Sequence, residues 1–270
     1  MNDIPLTSFT DAARVVEVAP GAFTADVPPD WAQGRTAFGG LAAGILINAV
    51  QALPGLADLP VRAVDAAFIG PVPPGPVRVR AEMLRQGKYL THAAAELTAG
   101  AGSHPLARVH TVLGHLRASA VTVPPEPPDP VPLEQCLEMP YIPGMTPEFT
   151  RNLDFRFASG IPFTGSDSAR VTGHCRHRSP EVGVAAISAL VDAWPGTVLP
   201  LMTSPAPAST VRWSLQFPGD EPLKGDDWFW YTSDTPVATG GYSTMTAQLW
   251  REERLISWSE QLLAVFDRRS

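Results

Sequence analysis

Asp192, Thr210 and Gln261 are polar residues in places where the surrounding pattern calls for apolar ones. Asp192 sits near the end of the apolar run VGVAAISALVDAW, just before the stop Trp194-Pro195-Gly196. At the end of a helix the negative pole of the dipole disfavours a carboxylate, and apolar neighbours add a cost unless the group is hydrogen-bonded. Such a carboxylate should have its pKa raised, which suits a general base, although the same residue could instead cap a neighbouring turn. Thr210 opens the strand pattern STVRWSLQF, and Gln261 interrupts LISWSEQLLAVF.

Other chemistries have less to stand on. There is no GxSxG elbow, Walker A loop, HExxH or complete GxGxxG. Lys88 and Lys224 are the two lysines, so amine catalysis has few candidates. His174-Cys175-Arg176-His177-Arg178 looks like a fragment of a metal site, but strand alternation would send Cys175 and His177 to one face and His174 to the other. No metal site and no cofactor are therefore expected. His110 and His115 lie among strand residues, where they are expected to be satisfied or solvated. Gly39, Gly40 and Gly44 open a helix, which fits close backbone packing better than ligand approach.

The elements that would position these residues come in two similar sets. LAAGILINAVQAL, before Pro54, has helix length and is apolar nearly all round. Ser179-Pro180-Glu181 reads as the start of a second such helix, with a capping hydroxyl, a proline and an acid in its first turn. Strand patterns follow each helix: VRVRAEML, HAAAELTA and ARVHTVL in the first half, then STVRWSLQF, DWFWYTSD, TMTAQLW and LISWSEQLLAVF. Overlaying the halves pairs Asn48 with Asp192, Ala63 with Thr210 and Val112 with Gln261, so one half carries polar groups that the other lacks. Eight of the 20 residues from Pro124 to Pro143 are proline, which cannot sustain a central strand or helix. The expected organisation is a scaffold half over 1–120, a linker over 121–145 and a catalytic half over 146–270.

The net charge of -7 has the wrong sign for nucleic acid or an anionic membrane, so neither is an expected partner. Two cysteines without a framework, Cys136 and Cys175, and a start with no apolar signal region suit a cytoplasmic protein.

Taken in order, Ala37-Phe38-Gly39-Gly40, Leu84-Arg85-Gln86-Gly87-Lys88, the ALVDAW helix end, STVRWSLQF and LISWSEQLLAVF resemble the acyl-CoA thioesterase II (TesB-like) family. The resemblance covers nearly the whole chain. It implies an α+β double hot-dog, two tandem repeats that each wrap an antiparallel sheet around a central helix, joined as one continuous sheet. It also implies a cytoplasmic homo-oligomer in fatty-acid metabolism that hydrolyses acyl-CoA to free acid and CoA. The family's water-activating set falls on Asp192, Thr210 and Gln261, and the helix opening Phe38, Gly39 and Gly40 is the place for substrate contacts. Glu252-Glu253-Arg254 and Leu262-Leu263 depart from the family pattern. A non-catalytic acyl-CoA binding protein and a hot-dog hydratase or dehydratase are the alternatives.

Overall fold

The computed structural model describes residues 6–100, 104–220, 224 and 227–267. The chain opens with α1 (Phe9–Ala12), β1 (Val16–Ala19) and β2 (Ala22–Val27). A small hairpin of β3 (Ala32–Gln33) and β4 (Thr36–Ala37) leads into α2 (Gly39–Gln51). Four strands follow: β5 (Val61–Phe68), β6 (Gly75–Gln86), β7 (Thr91–Ala99) and β8 (Ala107–Leu113). The second half runs β9 (Leu137–Glu138), β10 (Leu153–Ser159), β11 (Arg170–His177) and α3 (Gly183–Asp192). It closes with β12 (Ala208–Gln216), β13 (Phe229–Thr239), β14 (Tyr242–Arg251) and β15 (Arg254–Val265).

Both helices follow from their composition. From Gly40 to Ile47 every residue of α2 is buried, and α3 is buried from Ala185 to Val191. Elements apolar on all sides must be surrounded, and the strands do this by forming one 13-stranded antiparallel sheet. Its order is β1-β2-β6-β7-β8-β5-β12-β15-β14-β13-β11-β10-β9. Apart from β9, this order mirrors itself about the β5–β12 seam, where Ala63 to Ala67 run against Gln216 to Arg212. Inward-facing Val64, Ala66, Trp213 and Leu215 carry one hydrophobic core across that seam. The expectation of two helix-in-sheet repeats sharing a continuous sheet is met.

The bulges set the true register of the repeat. The β5–β8 ladder slips between Val61 and Ala63, and the β12–β15 ladder slips between Thr210 and Arg212. Superimposing these irregularities places Val61 opposite Thr210, and Thr111 opposite Gln261. The overlay with Ala63 and Val112 is thus corrected, and burial agrees: Thr111 and Gln261 are both buried, whereas Val112 faces outward. The two helices start at Gly39 and Gly183, the separation that pairs Asn48 with Asp192.

Two further readings change. Strands also precede each helix (β1 and β2, then β10 and β11), so a half is more than a helix followed by a meander. Helix α3 begins at Gly183, after Val182, which offers no side-chain cap. Ser179-Pro180-Glu181 is therefore not its first turn. The Glu181 carboxylate instead caps α1: Phe9 N–H donates to Oε1 at 2.8 Å, Thr10 N–H to Oε2 at 2.9 Å, and the Thr10 hydroxyl to Oε2 at 2.5 Å. Glu181 is 1% exposed, so this cap fastens the N-terminal segment to the second half from inside the protein.

Glu181→Ala strands the buried Phe9 N–H and frees two donors of the exposed Thr10, and a buried unmet donor costs on the order of 1–3 kcal/mol. A net loss of about 2 kcal/mol lowers Tm by roughly 4–8 °C in a chain of this size. Calorimetry checks this, and an unchanged Tm would mean that solvent reaches these donors.

Candidate active site

Asp192 is the last residue of α3, yet its carboxylate lies at the first turn of α2, from the other half of the chain. The Gly40 N–H donates to it. Its Oδ2 comes within 2.7 Å of where a Cβ on Gly39 would stand. The residue preceding α2, Phe38, provides no side-chain cap, so Asp192 supplies the anion that the positive end of this helix favours. The dipole of its own helix disfavours the carboxylate, and the dipole of the neighbouring helix favours it.

Gln261 and Thr210 extend this contact across the sheet. Gln261, on β15, donates through Nε2 to Asp192 Oδ1 at 2.9 Å. Thr210 sits at the β12 bulge, and its hydroxyl donates to Gln261 Oε1 at 3.4 Å, a long contact. The three residues predicted from sequence are therefore brought together in one line. Gln261 is 3% exposed, while Asp192 and Thr210 keep partial access to solvent. Desolvation of the carboxyl outweighs the two hydrogen bonds that favour its charged form, and its pKa is pushed up to about 7. At neutral pH it can both accept and return a proton.

Close approach explains the glycines. A Cβ on Gly40 would meet the Phe38 ring at 2.6 Å and Ala189 Cα at 2.8 Å, so α2 and α3 cross there with no room for a side chain. Phe38 itself is buried, with its ring stacked on Phe149 at 4.0 Å. Of the three residues suggested for substrate contact, Phe38 and Gly40 are packed inside and Gly39 keeps a partly accessible backbone. Sequence reasoning missed Phe68, whose ring lies 3.5 Å from the Gly39 Cβ position, and the buried aromatic cluster just past Asp192 in which Trp194 stacks on Tyr231 at 4.7 Å and meets Phe157 at 4.9 Å. Nothing in the local pattern marks Phe68, but Trp194 stands in the quoted helix end.

The histidine-cysteine fragment divides as alternation requires. His177 is buried with Nε2 at 2.9 Å from Ala186 O, and His174 Nε2 lies 2.8 Å from Val131 O near the surface. Burial pushes the Cys175 thiol up to about 12, the opposite of a reactive thiolate. His110 pairs with His92, its Nε2 lying 3.1 Å from His92 Nδ1.

Residues 27–114 match the acyl-CoA thioesterase N-terminal domain and residues 133–265 the acyl-CoA thioesterase C-terminal domain. The chain belongs to the acyl-CoA thioesterase family. As a member of that family the protein is a thioester hydrolase with an acyl-CoA substrate. Its fold is shared with a hot-dog protein of unknown function from Alicyclobacillus acidocaldarius, at 18% identity and TM-score 0.86, over 97% of this chain and 98% of that one. The tesB protein of Mycobacterium avium subs paratuberculosis has TM-score 0.79 at 13% identity, over 96% and 98% of the two chains. Acyl-CoA thioesterase II TesB2 of Mycobacterium marinum has TM-score 0.76 at 13% identity, over 96% and 99%. Comparison with curated proteins finds no match. Among the described residues of the thioesterase, no helix is long and apolar enough to cross a membrane.

The raised pKa of Asp192 fixes the sign of a pH effect. From 3.8 unfolded to about 7 folded, the protonated form is favoured by folding, so its stabilisation is complete below pH 4 and is lost as pH rises through 7. Asp192→Asn removes the titration. Its Tm should gain steadily on wild type between pH 4 and pH 8 in a melting series, and a constant difference would show that the carboxyl is not perturbed.

Proposed function

We propose that this thioesterase hydrolyses acyl-CoA with Asp192 as general base on a water molecule, Gln261 and Thr210 holding both in place. The hydrogen-bonded line from Thr210 through Gln261 to Asp192, ending on the first turn of α2, is the observation that carries this reading. Asp192 Oδ1 accepts from the Gln261 amide and the carboxylate also accepts from the Gly40 N–H, and a remaining lone pair on Oδ2 receives the proton. The water oxygen attacks the thioester carbonyl carbon as its proton passes to Oδ2. A tetrahedral intermediate results, with the negative charge on the former carbonyl oxygen.

That charge needs donors. Leu41 and Ala42 N–H return to Phe38 O, and Gly40 N–H serves Asp192. The amide of Gly39 is the first-turn donor left to face the oxyanion, aided by the positive end of α2. Collapse of the intermediate expels the CoA thiolate, which takes back the proton held by Asp192. The products are the free acid and CoA, and the base is restored without a covalent intermediate. On this reading the catalytic half spans 146–270, and the scaffold half, 1–120, contributes the helix end on which the base rests.

Asp192→Asn should lower kcat at least about a hundredfold, the order expected when a general base is lost. Thr210→Ala should cost less, because its contact is the longest of the line. Because the base must be ionised, wild-type kcat/KM should rise with pH through about 7. Thiol release from a panel of acyl-CoA esters reads all three, and full activity in Asp192→Asn would remove the base from the scheme.

A further inference from the structure

The mirrored sheet gives the active-site corner a counterpart, located at the first turn of α3. Three correspondences place it. At the active site, Ala37 N–H donates to Val72 O just before Gly39; at the counterpart, Val182 bridges Lys224 just before Gly183. Phe68 ends β5 beside Gly39, and Phe217, directly after β12, lines the same cavity as Gly183. Val61, at the bulge equivalent to that of Thr210, also lines this corner.

The two corners differ in what fills them. Around Gly39 the space is taken by Asp192 Oδ2 and the Phe68 ring, whereas a Cβ on Gly183 would meet nothing within 4 Å. The counterpart opens into a cavity of about 770 Å³ between Gln51, at the end of α2, and Leu255 and Ile256 of β15. Its chemistry is also changed. Asn48 stands for Asp192, and its amide donates to Ala13 O at 2.9 Å. Val61 stands for Thr210 and has no hydroxyl. Thr111 stands for Gln261, fully buried with its hydroxyl unpartnered.

We propose that this cavity is a second acyl-CoA site that binds the thioester and does not hydrolyse it. The inference rests on the acyl-CoA thioesterase reading of the first site. The walls formed by Val61, Phe217, Leu255 and Ile256 accept the acyl chain. The first-turn amides of α3, which no side chain caps, face the thioester carbonyl in the role given to the Gly39 amide at the first corner. Lys224 lies at the same cavity and offers a cation to a CoA phosphate, with Asp58, Asp220 and Glu253 also in the lining. Hydrolysis stops there because a neutral asparagine amide cannot take a proton from water.

The test is titration calorimetry of the whole protein with oxoalkyl-CoA thioethers, short and long, whose sulfur–methylene linkage resists hydrolysis. Wild type should bind two equivalents per chain, and Leu255→Trp, which fills the cavity, should bind one while keeping wild-type kcat at saturation. Gln51→Trp, from the opposite wall, repeats the measurement should the first variant fold poorly. One equivalent in wild type, unchanged in both variants, overturns the proposal, as does two equivalents in all three or no binding at all. One equivalent in wild type that vanishes in the variants would support the cavity and instead sink the acyl-CoA reading of the Asp192 corner.

Discussion

The placement of one carboxylate on a helix end constrains much of this molecule. Asp192 leaves the last turn of α3 and settles on the first turn of α2, which has no cap of its own. For the contact to form, α2 and α3 must cross closely, which needs glycine at position 40 against Ala189, and Gly39 must leave its Cβ volume to the carboxylate. Desolvation alone would keep the acid neutral, while the Gly40 amide and the Gln261 side chain draw it back toward ionisation. The value near 7 is the net of opposing effects in which desolvation is the largest, so it depends on where each partner sits.

Duplication makes this balance possible without making the protein symmetric. Both halves keep the bulge beside the seam, at Val61–Ala63 and at Thr210–Arg212, and both keep a glycine at the helix start. A bulge re-aims the side chains next to it, and at that point one half has threonine and the other valine. The backbone is repeated and the chemistry is not. A carboxylate in each corner would impose the desolvation cost twice, whereas Asn48 meets its obligation with a single bond to Ala13 O.

Much of this was legible in the sequence, because hydrophobic periodicity is a local signal. The apolar runs give both helices, and the alternating runs give β6, β7, β8 and β12 to β15. Asp192, Thr210 and Gln261 are conspicuous because each breaks such a run. What could not be read depends on distant partners. Ser179-Pro180-Glu181 has every mark of a helix start, but Glu181 answers to amides some 170 residues earlier. The repeat register was displaced at Thr210 and Gln261 because a bulge inserts a residue without changing composition. The charged Arg62 and Asp65 break the alternation of β5, which hid the strand that joins the halves.

The same geometry explains why neither half could hold this site alone. Asp192, Gln261 and Thr210 come from α3, β15 and β12, while the helix end that receives the carboxylate comes from α2. What keeps them in register is the β5–β12 seam, with Trp213 and Leu215 facing Ala66 and Val64 in a shared core. Glu181, holding α1 from across the molecule, ties the halves a second time. In a homodimer of single repeats every residue needed at one corner would also be present at the other. Fusing the repeats removes that constraint, so the polar line could be kept at one corner while the other opened into a cavity.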